Sequence, residues 1–355
     1  MDITLLLLAV VLAAASVVPL LREEAWWIRV FDFPRAQIFV LGVIVIVLSL
    51  LYADIRDWQG FVALCAAAAA VLIQAANIFP YTPLAPKEVL SADAADAGRD
   101  HTLSLLVANV LMDNRRAESL RRMIAERAPD IVLLLEPDAW WQAQMRALKD
   151  DGYVHTLEEA RDNKYGMLLY SRLPLLDPEI RYLLKDGVPS MHVQIRLRSG
   201  RDLRFSAVHP EPPAPSEAET SLPRDAELLM VGREVREQKA PTVVAGDLND
   251  VAWSHTTRLF QKTSRLLDPR KGRGMFNTFH AKLPLLRWPL DHVFHSDHFL
   301  LADMQRLPAF GSDHFPVYVR LVLQPEAAQA QEAPWADADD AQAADRKIAE
   351  ARCDT

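Results

Sequence analysis

The stretch VVAGDLND, residues 243–250, decides the fold. It opens with a short apolar run of strand length and ends in a glycine followed by acid and amide residues. Side chains alternate along an extended chain, so Asp247 and Asn249 point to the same side, and Gly246 lets the backbone turn closely. The stretch predicts a buried strand that carries two polar side chains to one edge of a sheet. A simple strand-end turn of Asp and Asn is the alternative.

Short apolar runs alternate with helical segments through residues 101–323. The order strand, helix, strand, followed by further short runs, is typical of an α/β (α+β) domain with two sheets and helices outside them. The predicted strands are 103–107, 131–135, 166–170, 192–197, 203–208, 242–245, 292–294 and 317–323, and the predicted helices are 114–127 and 223–238.

Polar residues lie at or near the ends of these runs. They are Asn109, Glu136, His209, Asp247 with Asn249, and Asp313 with His314. Strand ends at one rim of a sheet meet at a common crevice, so residues distant in sequence can share a site. Taken singly, Asn109 could be a hydrogen-bonded core amide and His209 a surface imidazole. Their repetition at strand ends favours one shared site.

These residue types suit the hydrolysis of a phosphodiester. That reaction needs an ion to neutralise the phosphate, a base for water, and donors for the charge that develops. Glu136 is the first candidate metal ligand, because a hard cation such as Mg²⁺ prefers carboxylate oxygen; as an alternative, it could open the helix that follows Pro137. Asp247 would orient or deprotonate water, and Asn249 would donate to the phosphate.

Asp291 and His314 form a candidate dyad. A buried carboxylate that bonds to an imidazole fixes its tautomer and favours its charged form. His292, His295 and His298 lie nearby in the sequence, but strand alternation sends His292 to the face opposite Asp291. A zinc site of three histidines is therefore disfavoured.

Six short motifs occur in an order that resembles the endonuclease/exonuclease/phosphatase superfamily, which includes DNase I. They are NV at 109–110, LLLE at 133–136, VHP at 208–210, GDLN at 246–249, LDHVF at 290–294 and SDH at 312–314. Each motif is weak alone, but six in order are strong. The resemblance implies a four-layer αββα sandwich (DNase I-like) over residues 101–323 that binds Mg²⁺ or a similar ion such as Mn²⁺. It is closest to bacterial membrane-bound members, which have three N-terminal helices and a loop similar to WWIRVFDFPR at 26–35.

The resemblance also implies a role for each site residue. Metal binding is assigned to Asn109 and Glu136 with help from Asp313, phosphate contact to His209 and Asn249, water activation to Asp247, and support of the catalytic His314 to Asp291.

Residues 1–80 are almost entirely apolar and predict a transmembrane region. Three stretches, 3–21, 36–52 and 60–79, approach the roughly 20 residues that span a bilayer as helix. Buried core helices are one alternative, and a cleaved signal peptide is another for the first stretch, although its start lacks positive charge. The first loop carries arginines at 22, 29 and 35, against Arg56 in the second. This bias places the catalytic region on the cytoplasmic side of a cell inner membrane.

The remaining segments connect or extend the domain. Prolines at 80, 83 and 86 and a small, polar stretch at 91–98 predict a linker over residues 81–100. The Ala/Glu/Asp-rich residues 324–355 predict a disordered acidic tail. Cys65 and Cys353 lie in environments too different to pair, so no disulfide is expected.

The net charge of −8 arises at the two ends of the chain, because residues 100–323 hold 30 basic and 30 acidic side chains. Acidity is therefore a weak argument against a phosphate-bearing substrate. Between Arg258 and Arg287 there are eight basic residues and one acid, Asp268. Such a run suits a solvated face, a nucleic-acid backbone or anionic lipid headgroups.

Three functions remain open. Metal-dependent hydrolysis of nucleic-acid phosphodiesters leads, and hydrolysis of a phospholipid or another phosphorylated headgroup at the membrane is second. A membrane-tethered binding protein without activity is third, and the presence of every proposed polar residue disfavours it. The sequence has no extended insertion rich in aromatic and basic residues, which weakens a dedicated DNA-repair role. No protein partner is implied.

Overall fold

The computed structural model describes residues 2–54, 56–93, 99–214 and 217–354. Three long helices come first: α1 Asp2–Val17, extended by a 3-10 turn Val18–Leu21, α3 Arg35–Tyr52 and α4 Trp58–Ile78, with the short α2 Trp26–Arg29 after the first. By length and composition, Ile3–Leu21, Arg35–Tyr52 and Trp58–Tyr81 can each cross a membrane. The three predicted apolar helices are present.

A buried polar chain joins the three long helices where they approach the rest of the protein. Gln74 Nε2 donates to Ser16 Oγ at 2.9 Å, Arg35 donates to Gln74 Oε1 at 3.2 Å, and Arg35 also binds Asp32 at 2.5 Å. Arg29 lies 3.4 Å from the same carboxylate. In apolar surroundings each polar group needs such a partner. Asp32 thus offsets one of the two positive charges that Arg29 and Arg35 bring to this end of the helices.

The strands follow in two sheets. They are β1 Thr102–Asn109, β2 Ile131–Leu135, β3 His155–Glu159, β4 Met167–Ser171, β5 Leu175–Arg181, β6 Ser190–Arg196, β7 Asp202–Ala207, β8 Thr242–Asp247, β9 Asp291–His295, β10 Phe299–Arg306 and β11 Val317–Leu323. The first sheet has the order β10-β11-β1-β2-β4-β3 and the second the order β5-β6-β7-β8-β9. Within them β1–β2 and β7–β8 are parallel pairs.

Helices cover the outer face of each sheet: α5 Ala117–Arg127 and α6 Ala139–Met145 on the first, α7 Leu222–Gln238 and α8 His255–Ser264 on the second. Leu105 and Val193 lie in the core between the sheets. On the opposite faces, Leu106 packs with Leu120 of α5, and Val244 packs beneath α7 and α8. Alternation of buried residues on both strand faces builds the predicted four-layer αββα sandwich.

The prediction of a disordered tail is wrong for the part of residues 324–355 that the structure describes. A 3-10 turn, Pro325–Gln329, and a helix, α9 Ala338–Asp354, form there. Ala344 and Ile348 pack in one cluster with Leu229 of α7. Lys347 Nζ lies 3.0 Å from Asp225 Oδ2 and also binds Glu24. Composition alone misses this helix because its order comes from tertiary contacts.

Part of the predicted linker also packs against the domain. Ala92 donates to the Leu301 carbonyl at 2.9 Å, and Leu301 donates to the Leu90 carbonyl at 2.9 Å, so this segment runs beside β10. Val89 is fully buried in the core between the sheets. Residues 94–98 of the linker lie outside the described residues.

Buried contacts fix the sandwich to the ends of the long helices. Trp253 Nε1 donates to the Asp32 carbonyl at 2.8 Å, and Tyr81 Oη donates to the Ala252 carbonyl at 2.6 Å. The rings of Tyr81 and Trp253 lie 5.9 Å apart. The domain therefore lies directly against the start of α3 and the end of α4.

Candidate active site

The predicted site residues meet at one edge of the two stacked sheets. Asn109 at the end of β1 pairs with Leu135 at the end of β2, directly before Glu136. In the second sheet, Asp247 at the end of β8 pairs with Asp291 at the start of β9. Antiparallel pairing puts the start of β9 at the same edge as the end of β8.

Glu136 faces across the gap between the sheets. Asn109 Nδ2 donates to Glu136 Oε1 at 2.8 Å and to Asp247 Oδ2 at 3.1 Å, so one amide joins carboxylates from both sheets. The other carboxylate oxygen, Glu136 Oε2, is buried with no hydrogen-bond partner among the described residues. Burial raises the pKa of Glu136 to about 7. The negative charge of ionised Glu136 is therefore not fully stabilised by its neighbours in the protein.

His314 lies between two buried carboxylates. Its Nδ1 is 2.7 Å from Asp291 Oδ2, and its Nε2 is 3.5 Å from Asp247 Oδ2. Burial opposes a charge on the ring, but Asp291 and Asp247 raise the pKa of His314 to about 10. Burial also raises the pKa of Asp247 above its ordinary value, and His314 opposes that rise. Both carboxylates therefore favour the charged, imidazolium form of the His314 ring.

His209 and Asn249 complete the cluster around Asp247. His209 Nε2 lies 4.0 Å from Asp247 Oδ2, and burial lowers the pKa of His209. The Asn249 backbone N–H donates to Asp247 Oδ1 at 2.9 Å. Asn249 Nδ2 donates to the Pro210 carbonyl at 2.9 Å, which leaves its second hydrogen for another acceptor.

The backbone of the site is strained at two polar residues. Glu136 has φ 61° and Asn249 has φ 51°, both in the left-handed region. Non-glycine residues there cost roughly 1–3 kcal/mol each and occur preferentially at functional sites. Gly246 has φ 151°, and a Cβ on it would lie 1.8 Å from the Val208 carbonyl oxygen. Only glycine lets β8 approach Val208 closely enough to set Asp247 beside His209.

Asp313 lies at the outer side of the cluster. Its carbonyl accepts from Ala281 N at 2.6 Å, and its carboxylate raises the pKa of Glu136 slightly, as does Asp247, alongside the larger effect of burial. The structure thus brings all eight predicted site residues together.

Three residues that support the site were not among the predicted site residues. Ser312 Oγ donates to the Asn109 carbonyl at 2.8 Å and accepts from His314 N at 3.0 Å. Thr278 Oγ1 accepts from Asp291 N at 3.1 Å. Arg224, fully buried in α7, donates to the Asn249 carbonyl at 2.8 Å. Ser312 stands within the SDH motif, whereas nothing local in the sequence marks Thr278 or Arg224.

Two groups of side chains could hold a cation. Ligand atoms of Asp247, Asp291 and His314 lie within 4.8 Å of one another, but Asp291 Oδ2 and His314 Nδ1 already bond to each other, and the two carboxylates favour the charged form of the ring. Glu136 Oε2, like Asp291 Oδ1, is a buried oxygen without a hydrogen-bond partner among the described residues, but the Glu136 carboxylate is not bonded to an imidazole. Asn109 Oδ1 accepts from Leu111 N at 3.0 Å and keeps a second lone pair. Carboxylate and amide oxygens suit a hard divalent cation, so Glu136 and Asn109 fit it better.

Most of the basic run between Arg258 and Arg287 is used inside the protein. Six of its eight cations bind internal acceptors: Arg258 to the Trp253 carbonyl, Lys262 to Asp340, Arg270 to Asp268, Lys271 to Glu88, Arg273 to the Val89 carbonyl and Arg287 to the Ala281 carbonyl. The run is therefore mainly a structural feature rather than a free basic surface.

Comparison with protein-family models matches residues 106–314 to the endonuclease/exonuclease/phosphatase family. These residues form more than half of the chain and contain every site residue described above. The comparison with curated protein sequences gives no match.

Solved structures with a similar fold are distant in sequence. An endonuclease/exonuclease/phosphatase from Beutenbergia cavernae is 18% identical with a TM-score of 0.51, covering 63% of this chain and 72% of that chain. The human Nocturnin catalytic domain with bound sulfate is 18% identical with a TM-score of 0.52, covering 64% and 95%. D. rerio TDP2 complexed with single-strand DNA product is 21% identical with a TM-score of 0.50, covering 62% and 99%. These likenesses show the shared fold.

Proposed function

Because this chain belongs to the endonuclease/exonuclease/phosphatase family, whose enzymes are divalent-metal-dependent phosphoester hydrolases, we propose that it hydrolyses a phosphodiester at a membrane surface. One observation carries the proposal: Asn109 Nδ2 bonds to Glu136 and Asp247 from different sheets, and Asp247 lies 3.5 Å from His314. Asp247 as proton acceptor, His314 as charge-stabilising donor, and Glu136 with Asn109 as metal ligands thus lie in one connected cluster.

Glu136 and Asn109 would hold the metal, with Asp313 beside them. When bound there, Mg²⁺ or Mn²⁺ would neutralise charge on the phosphate. The unpaired Glu136 Oε2 supports this assignment, because a buried ionised carboxylate is stabilised by pairing or by binding a metal.

The other side chains supply proton transfer and charge stabilisation. Asp247 would accept a proton from the attacking water, and its raised pKa suits that task. His314, held charged by Asp291, would donate to the phosphate oxygens as negative charge develops. The free hydrogen of the Asn249 amide and the neutral ring of His209 would contact the same oxygens.

A small soluble phosphodiester tests this chemistry without any assumption about the natural substrate. The full chain in detergent should hydrolyse bis(4-nitrophenyl) phosphate with Mg²⁺ or Mn²⁺ and lose the activity with EDTA. Asp247→Asn should lower kcat roughly 10²–10⁴-fold, the usual contribution of a general base. Asp202→Asn, the same change at the far end of the second sheet, is the control and should leave kcat unchanged. Normal turnover by Asp247→Asn, or activity indifferent to EDTA, would contradict the proposal.

Nucleic acid is one candidate for the natural substrate. The distant TDP2 structure contains a single-strand DNA product, which supports a nucleic-acid phosphodiester by analogy. Most cations of the run between Arg258 and Arg287 are paired inside the protein, so this run does not provide a basic surface for a nucleic-acid backbone. A lipid headgroup is the second candidate, and the position of one loop between the site and the apolar helices favours it.

The proposed setting is the cytoplasmic face of an inner membrane. Arg22 in the first loop supports that orientation through the positive-inside rule. Arg29 and Arg35 lie on the same side and support it as well, although Asp32 offsets one of their two charges.

A further inference from the structure

The 279–288 loop connects the active site to the membrane side of the protein. Its two ends pair, since Phe279 N donates to the Trp288 carbonyl at 3.0 Å in an antiparallel bridge. The Phe279 ring lies 5.0 Å from the His314 ring, and Ala281 N donates to the Asp313 carbonyl at 2.6 Å. The base of the loop therefore forms one wall of the site.

The tip of the loop is apolar and exposed. Leu283 is 45% exposed, Leu285 is 82% exposed and Leu286 is 45% exposed. Lys282 and Arg287 flank these leucines. Adjacent large apolar side chains in water are unfavourable, and a contiguous apolar patch usually marks a contact surface.

The tip lies at the level where α3 begins. Gln37, in the first turn of α3, donates from Nε2 to the Leu285 carbonyl at 2.9 Å. At the base, the Trp288 ring meets the Phe33 ring edge-on at 5.6 Å, just before α3. Since α1 and α4 end on the side where α3 begins, the tip and the membrane-entry ends of all three helices share one face of the protein. Leucines beside lysine and arginine at that level suit the headgroup boundary of a bilayer.

A cleft opens beside the loop and next to the site. It has a volume of about 350 Å³ and is lined by Arg116, Ala281, Lys282, Ala309, Gly311 and Ser312. Two cations thus border a cleft whose lining includes Ser312, which bonds to the backbone of Asn109 and His314. An anionic headgroup bound here would lie next to the cluster.

We propose that the leucine tip of the 279–288 loop rests in the bilayer surface and that the substrate is the phosphodiester of a phospholipid headgroup in that bilayer. The inference rests on the proposed function and names its substrate class. A nucleic acid gains nothing from exposed leucines, whereas a bilayer buries them. In the reaction, the water oxygen bonds to phosphorus and one P–O ester bond breaks. Its electron pair stays on the leaving alcohol oxygen. Asp247 takes one proton of the attacking water, the leaving oxygen takes a proton from a second water, and the hydroxide so formed removes the proton from Asp247. The free alcohol departs and Asp247 is restored.

The test uses the full chain reconstituted into vesicles of phosphatidylcholine and phosphatidylglycerol that carry radiolabelled headgroups. Release of label into water reports cleavage of either ester bond. We expect Mg²⁺-dependent release, and we expect the variant Leu283→Ser/Leu285→Ser/Leu286→Ser to lose about tenfold of kcat/KM on vesicles, equivalent to about 1.4 kcal/mol. Its side chains project outward, so turnover of bis(4-nitrophenyl) phosphate should stay within about twofold. Val154→Ser, at a valine that is 64% exposed directly before β3 and at the sheet edge opposite the site, is the control and should keep vesicle activity.

The outcomes separate this inference from the proposed function. If the wild type hydrolyses bis(4-nitrophenyl) phosphate and DNA or RNA but releases no headgroup, the lipid substrate is overturned and the phosphodiesterase stands. Equal losses in the loop variant and Val154→Ser would overturn the role of the loop. Failure on all these substrates would remove the proposed function and this inference together.

Discussion

Glu136 combines a strained backbone, a buried side chain and a carboxylate oxygen that has no hydrogen-bond partner. It has φ 61°, an unpaired buried oxygen, and a pKa that burial raises to about 7. Glu136→Gln keeps the size and the Asn109 neighbour but removes the charge, so we expect Mn²⁺ affinity to fall roughly 10–100-fold or more. Titration of Mn²⁺ by electron paramagnetic resonance measures this without turnover. Glu179→Gln, at an exposed carboxylate of β5, is the control, and equal affinity in both variants would rule Glu136 out as a ligand.

Glu227 gives a pH-dependent prediction away from the metal ligands. It is 4% exposed, and burial, with a smaller contribution from Glu211, raises its pKa to about 8. A folded-state pKa above the ordinary 4.5 means that its stabilising effect is complete below about pH 4.5 and is lost as the pH rises through about 8. Glu227→Gln cannot ionise, so it should exceed the wild type in unfolding free energy by roughly 2–4 kcal/mol near pH 8. Denaturant unfolding of the solubilised protein at pH 6 and pH 8 measures the difference, with exposed Glu237→Gln on the same helix as control. Parallel pH profiles for wild type and Glu227→Gln would refute the prediction.

At the scale of elements, whether a strand or helix could be predicted from the sequence depends on how it is buried. β2 Ile131–Leu135 and β11 Val317–Leu323 have the predicted bounds because both faces of each strand are largely covered, which leaves apolar runs interrupted only at the half-buried Arg320. β3 His155–Glu159 is half-buried throughout and β5 Leu175–Arg181 is largely exposed in its middle, so neither carries an apolar pattern. α9 and the 279–288 loop were missed for a related reason. Their placement depends on partners far away in the chain, such as Asp225 and Gln37.

Helix α9 Ala338–Asp354 is held by one buried cation, and this makes its contribution measurable. Lys347 is 4% exposed and lies 3.0 Å from Asp225. Although burial opposes it, Lys347 and Arg224 hold the pKa of Asp225 well below its ordinary range. Removing one partner of a buried pair leaves a charge uncompensated, so Lys347→Ala should lower the unfolding free energy by about 3 kcal/mol. Arg346→Ala, one residue earlier in an exposed pair with Glu350, should change it by less than about 0.5 kcal/mol. Equal unfolding midpoints for the two variants would show that α9 does not depend on this contact.

At the scale of the whole molecule, the site exists only because two sheets stack face to face with their site-bearing edges on the same side. Asn109 and Glu136 come from the first sheet and Asp247 and Asp291 from the second, and a single amide bridges them. The sequence marks each residue as a strand end, but which strand ends face each other is set by packing across the inner core. For the same reason, no local pattern shows that the 279–288 loop joins this site to α3.

The two cysteines provide a direct measure of how the whole molecule sits in the membrane. Cys353 is exposed on α9 at the domain side, whereas Cys65 lies within the apolar segment Trp58–Tyr81. Maleimides react with the thiolate, which forms in water and not in hydrocarbon, so Cys353 should be the labelled residue. If the domain faces the cytoplasm, a membrane-impermeant maleimide should label the chain in inside-out vesicles and leave it unlabelled in right-side-out vesicles. Cys353→Ser should abolish labelling in both preparations. Labelling of the wild type in right-side-out vesicles would place the active site, and any headgroup it cleaves, on the opposite leaflet.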